Sequence, residues 1–179
     1  PVRTHFRDKQ YHVSAAVVYA IMKYIDGTGD YGILSDGAME AVIECARMYR
    51  SLLLKKADSS FYEIYDVVGP DEYHERVNNN VYTNKMAQLT FKTAYDMLGE
   101  IDSETYNALS KKYDLEKLKE TFKDSYENIK INQPNSDGII EQFDGYFGLE
   151  DTSVAMVRSR LLDEKEYWGG AYGVASQTQ

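Results

Sequence analysis

Apolar residues in this chain return every three or four positions, in one segment after another, which is the spacing a helix needs to bury one face. Val13, Ala16, Val17, Ala20, Ile21 and Tyr24 predict a first helix over about 10–24, with those residues turned to the core. Asp26-Gly27-Thr28-Gly29-Asp30 predicts a turn at its end. That run imitates the start of a calcium loop, but Tyr31 stands where glycine is required and Gly37 where the closing glutamate belongs. Met39, Val42, Ile43, Ala46, Tyr49 and Leu53 predict a second helix over about 36–55. Residues 59–68 alternate loosely, as a short strand would. A third helix is expected to start on a cap at Thr83 or Asn84 and reach about Gly99, with Met86, Leu89, Ala94, Met97 and Leu98 apolar. Further helices are predicted over 103–113, along Leu115, Leu118, Phe122 and Ile129, and from Thr152 to Leu162, with a loop at 132–138. The expectation is an all-α chain with long polar loops and one short hairpin.

Composition narrows the function classes. The 179 residues suffice for one domain with a real core. Acidic residues outnumber basic ones 29 to 20, for a net charge of −9, which argues against nucleic acid or an anionic membrane as partner. The single cysteine, Cys45, excludes an internal disulfide and fits a reducing, cytoplasmic setting. Its apolar helical neighbours predict an inert, buried thiol rather than a nucleophile. No apolar run approaches the roughly 20 residues of a membrane span, and the opening residues Pro1-Val2-Arg3 carry no signal-peptide pattern. Sixteen tyrosines against one tryptophan suit a sugar cleft, and equally suit ordinary half-buried positions.

The chemistry is concentrated in one polar run, Gly69-Pro-Asp-Glu-Tyr-His-Glu-Arg-Val-Asn-Asn-Asn-Val-Tyr-Thr-Asn84. Asp71, Glu72, His74 and Glu75 crowd four acid–base groups together, and Asn78, Asn79 and Asn80 follow, short amides that bond to local backbone and tolerate left-handed conformations. Composition alone allows a plain helix start, with Pro70 early and Asp71 and Glu72 against the positive end of the dipole. A metal site from Asp71, His74 and Glu75 lacks any specific ligand spacing, so no metal is expected.

As a word, GPDEYHE followed by VNNNVYTN closely resembles the central motif of glycoside hydrolase family 65, the inverting phosphorylases of α-glucose disaccharides and the related acid trehalases. Glu141-Gln-Phe-Asp-Gly-Tyr-Phe-Gly-Leu-Glu-Asp151 resembles a second family word, and the tail around Glu166-Tyr-Trp-Gly-Gly170 and 173–179 a third. The resemblance spans essentially the whole chain. It implies an (α/α)6 toroid with the sugar pocket in the loops at one end, of which this chain would supply about half and no second domain. The family's amino-terminal β-sandwich, its tryptophan–aspartate word, its lysine–glutamine pair and its phosphate loops are not in this sequence.

The resemblance makes Glu72 the general acid, with Asp71, His74 and Glu75 supporting it. Cleavage with inversion needs an acid for the leaving oxygen and a nucleophile on the opposite face. A hydrolase uses a second carboxylate roughly 6.5–9.5 Å away to activate water, whereas a phosphorylase lets phosphate attack directly. The implied reaction is α-glucose disaccharide plus inorganic phosphate to β-glucose 1-phosphate plus free sugar, with phosphate as co-substrate and no cofactor. The alternatives are an acid-trehalase-type hydrolase and a fragment inactive without the rest of its site. Gln142, Asp144 and Tyr146 are candidates to line the cleft or to hold a structural loop. Trp168 is a candidate to stack on sugar or to pack in the core. Arg3, His5, Arg7 and Lys9 form a cationic cluster before the first helix, where the resemblance puts the acceptor subsite. Thr4-His5 stands there in place of the tryptophan–glutamate pair of many relatives, which disfavours plain maltose and suits an acceptor bearing phosphate, such as trehalose 6-phosphate. A homodimer is expected of the full-length protein.

Overall fold

The computed structural model describes residues 7–160, a set of helices joined by loops with one two-residue hairpin. The first helix, α1, spans His12–Thr28, and Gly29 stops it in the left-handed conformation (φ 69°) with its N–H bonded to the Ile25 carbonyl. The face assigned to α1 from periodicity is overturned. Val13, Val17 and Tyr24 are 55%, 50% and 42% exposed and Ala16 and Ala20 are exposed as well, while Ala15, Val18 and Ile25 are buried. Only Ile21 of the expected stripe packs against the core. Both stripes are apolar, so spacing could not choose between them. The neighbours chose: α3 lies on the other side, where Thr93 reaches the Met22 sulfur at 3.9 Å.

A π-helical turn at Leu34–Ala38, bent at Gly37 (φ 107°), leads into α2, Met39–Leu52, so the second helix starts later than expected. Its predicted face holds: Met39, Val42, Ile43, Ala46 and Tyr49 are buried. The Tyr49 hydroxyl donates to the Tyr11 carbonyl at 2.6 Å, tying α2 to the entry of α1. Cys45 is half-buried, and burial pushes its thiol up, away from the reactive thiolate.

Strands β1 (Leu54–Lys55) and β2 (Tyr62–Glu63) pair antiparallel, Leu54 opposite Glu63 and Lys55 opposite Tyr62. The strand expected over 59–68 shrinks to β2, whose partner β1 is itself only two residues long; Ile64, Val67 and Val68 are buried outside any named strand. Helix α3, Val81–Met97, starts earlier than expected, on Asn80, whose side chain accepts the Thr83 N–H at 3.0 Å. Thr83 and Asn84, the residues expected to cap it, are buried within its first turn. Asp102 and Asp114 cap α4 (Ser103–Ser110) and α5 (Leu115–Asn128) in the same way, through the Thr105 and Lys117 N–H groups. The last described helix, α6, is Val154–Ser159. The expected end of that helix at Leu162, and Trp168 with its glycine-rich tail, lie outside the described residues.

Helix α3 is the centre, packed by α1, α2 and α5. Phe91 sits at its middle with ring centroids 6.4 Å from Tyr49 and 6.2 Å from Phe122, so three helices share one aromatic contact. The N-terminal ends of α1 and α3 open on the same loops, and the polar run lies between them.

Candidate active site

The polar run is a loop stitched shut at its base rather than a helix start. Val67 and Val77 exchange both backbone hydrogen bonds at 3.0 Å, and the Asn79 N–H bonds the Ile64 carbonyl at 2.8 Å. Asp66 and Arg76 flank that bridge with φ of 59° each, and Asn79 follows at 52°. Left-handed backbone costs a non-glycine residue about 1–2 kcal/mol, and side-chain bonds at each place offset it. The Arg76 Nε donates to Asp66 at 2.8 Å and Lys9 pairs with the other Asp66 oxygen at 3.0 Å. Arg76 and then Lys9, through these bonds, hold the Asp66 carboxyl below its ordinary value. The Lys9 ammonium of the expected acceptor cluster is therefore committed to this loop. Arg3 and the side chain of Arg7 lie outside the described residues.

The asparagines fasten the loop. Asn80 Oδ1 accepts from both the N–H and the hydroxyl of Thr83, and a Cβ on Gly69 would stand 2.5 Å from the Asn80 amide nitrogen, so only glycine fits there. Asn78 accepts the Asp66 N–H at 3.1 Å; Asn79 accepts the Ile64 N–H at 3.2 Å and donates to Asp144 at 2.7 Å. The buried Asn84 donates to the Lys130 carbonyl at 2.9 Å, and Lys130 pairs with Asp144 at 2.8 Å. The Val81 N–H bonds the Gln142 carbonyl at 2.9 Å and the Asp144 N–H the Asn78 carbonyl at 3.0 Å. Two loops far apart in sequence are thus clasped over the start of α3 by a network of side-chain and backbone hydrogen bonds.

Within the loop, Asp71 is the hub. It accepts the Tyr73 N–H at 3.0 Å, bonds His74 Nδ1 at 2.8 Å and accepts the Gln142 amide at 3.1 Å. Burial pushes its carboxyl up, and the donors from His74, Gln142 and Tyr73 together outweigh that, leaving it below the ordinary value and charged. The His74 ring is buried against Phe143 and Tyr146, at centroid distances of 5.2 and 5.7 Å. Asp71 thus braces His74 and Gln142, while Asp144 is held separately by Asn79 and Lys130, and Glu75 is half-buried. Among the described residues no group of three or more His, Cys, Asp or Glu is arranged to hold a metal ion.

Glu72, next to the hub, points the other way. It is exposed, and its Oε1 accepts the Gln10 amide at 2.5 Å from just before α1. His12, in the first turn of α1, stands edge-on to Tyr82 at 5.7 Å; burial holds its imidazole below the ordinary value. Gln10, His12 and Lys130 carried no signal in the sequence, since each belongs to a helix entrance or loop remote from the motif.

The sequence model described as "Glycosyl hydrolase family 65 central catalytic domain" matches residues 3–171. The chain belongs to this family. Its relatives within family 65 include the nigerose phosphorylase of Lachnoclostridium phytofermentans, 56% identical over 100% of this chain and 24% of that protein. The 1,2-alpha-glucosylglycerol phosphorylase of Bacillus selenitireducens is 39% identical over 99% of this chain and 24% of its own length. The trehalose 6-phosphate phosphorylase of Lactococcus lactis is 34% identical over 87% of this chain and 20% of its own. The fold also matches a solved structure from the human microbiome, provisionally assigned as a kojibiose phosphorylase, with TM-score 0.74 and 24% identity over 92% of this chain and 24% of that one. The helices of this family 65 chain thus form an arc of an α/α toroid. The chain spans about a quarter of the length of the first two curated relatives named here.

Proposed function

We propose that this chain carries the general acid of an inverting α-glucoside phosphorylase, and that Glu72 is that acid. The supporting observation is the exposed Glu72 carboxylate, presented on a loop clasped between the starts of α1 and α3, in a chain of family 65. In the reaction, an oxygen of the phosphate dianion attacks the anomeric carbon of an α-glucoside. The glycosidic C–O bond breaks with its electron pair going to the leaving oxygen, which takes the Glu72 proton. The products are the β-glucose 1-phosphate monoanion, the freed sugar and a Glu72 carboxylate. The monoanion then gives its proton to solvent, from which Glu72 is recharged. Inorganic phosphate is the co-substrate and no cofactor is invoked.

Nigerose is the first disaccharide to test, because the phosphorylase of that name is 56% identical along the whole chain. A phosphate-bearing acceptor keeps its place in the panel through the basic residues Arg3 and Arg7, Lys9 being paired with Asp66. The single cysteine supports a cytoplasmic setting.

The deciding assay measures glucose 1-phosphate released by the full-length protein from nigerose, kojibiose, maltose, trehalose and trehalose 6-phosphate, with and without phosphate. We expect phosphate-dependent release, and a loss of about 10²–10⁴-fold in Glu72→Gln, the range for removing a positioned acid. Free glucose formed without phosphate would make the protein a hydrolase, and full activity in Glu72→Gln would move the acid elsewhere.

A further inference from the structure

Where a glutamate on a loop delivers its proton depends on the backbone that carries it. Glu72 stands between Asp71 and Tyr73, and Oδ1 of Asp71 accepts the Tyr73 N–H at 3.0 Å, closing an Asx turn with Glu72 at its middle. The direction of the Glu72 side chain therefore follows from where the Asp71 carboxylate is held. Its other oxygen, Oδ2, bonds His74 Nδ1 at 2.8 Å and accepts the Gln142 amide at 3.1 Å. His74 lies three residues on in the same loop, whereas Gln142 comes from 71 residues away and brings a separate frame.

That frame is the start of α3. The Gln142 carbonyl accepts the Val81 N–H at 2.9 Å, which ties the residue to the first turn of the helix packed by α1, α2 and α5. Two residues on, the Asp144 N–H bonds the Asn78 carbonyl at 3.0 Å. Between them Phe143 is buried, its ring centroid 5.2 Å from that of His74. We propose that Gln142 is a positioning residue for the general acid, its amide fastening the Asp71 turn that aims Glu72 to the start of α3. The inference rests on the reading of Glu72 as acid, and it gives Gln142 a role through Asp71 rather than through contact with sugar. Misplacing a catalytic group by about 1 Å can cost on the order of 10²-fold in rate. Loss of this amide therefore falls on turnover, and on the step that needs a proton.

The test uses the full-length protein and two donors: the disaccharide it cleaves, whose leaving sugar needs a proton, and α-glucosyl fluoride, whose leaving fluoride does not. In Gln142→Met, which keeps the length and loses the donor, kcat on the disaccharide should fall roughly 10–100-fold with KM within about threefold. Turnover of glucosyl fluoride should stay within about twofold. Gln142→Glu probes the same bond by charge. Protonated, its carboxyl donates to Asp71 as the amide does; ionised, it sets a second negative charge against Asp71. Its kcat on the disaccharide, as a ratio to wild type at each pH, should therefore rise roughly tenfold from about pH 8 to about pH 5. The ratio removes titration common to both proteins, at Glu72, His74 and Glu75 of the motif loop and at Glu141, Asp144 and Lys130 around position 142. Equal losses on both donors would make Gln142 a structural residue, and a raised KM with unchanged kcat would make it a sugar contact. Either overturns the inference, as does a flat pH ratio in Gln142→Glu. Full disaccharide turnover in Gln142→Met beside an inactive Glu72→Gln would overturn it and leave the acid standing. Retained disaccharide activity in Glu72→Gln would remove the acid assignment and this inference with it.

Discussion

Gly69 shows how one absent side chain can set a motif. A Cβ there would meet the Asn80 amide nitrogen at 2.5 Å and its carbonyl oxygen at 2.9 Å, and Asn80 is the cap of α3. An alanine must therefore displace the cap or strain the loop, at a cost of about 1–3 kcal/mol typical of overpacking. Gly69→Ala should lower stability by that amount in denaturant unfolding, and the penalty should shrink in an Asn80→Ala background, where the obstructing group is gone. Equal penalties in both backgrounds would mean the contact is not what requires glycine. The family word around Glu72 was legible in the sequence because it is long, contiguous and specific. Gln10 was not, because a hydrogen bond between residues 62 apart leaves no local trace.

Helix α1 carries apolar residues on both sides, and that is why its orientation could not be read from spacing. Val18 is fully buried while Val17 is 50% exposed, although both fit a helical stripe. The two make a clean comparison in this chain. Val18→Ala removes about two buried methylene equivalents and should cost about 2 kcal/mol, whereas Val17→Ala should change stability by less than about 0.5 kcal/mol. Equal effects, measured by urea unfolding, would contradict the packing of α1 against α3. Helix α2 was read correctly for the complementary reason: it carries one apolar face, interrupted elsewhere by charge, and that face is the buried one. The start of α3 was misplaced by a few residues, because Asn80, Thr83 and Asn84 are all credible caps and only the position of Gly69 and the clasped loop shows which one is used.

The exposed stripe of α1, with Val13, Val17 and Tyr24 at 42–55% exposure, is the pattern of a helix with neighbours on both sides. The 179-residue chain taken alone should therefore self-associate at micromolar concentration despite its net charge of −9, and Val17→Lys should shift it toward monomer in sedimentation. A monodisperse monomer at all concentrations would show that the stripe is tolerated in water.

What the sequence determined on its own is the helical class, the buried face of α2 and the family word, because periodicity and a contiguous motif are local properties written in consecutive residues. What only the tertiary structure decided is which side of α1 is inside, which asparagine starts α3, that Asp71 braces His74 and Gln142 while Asn79 holds Asp144, and that Gln10 meets Glu72. Those are choices among locally equivalent options, made by packing and by hydrogen bonds between segments far apart in the chain.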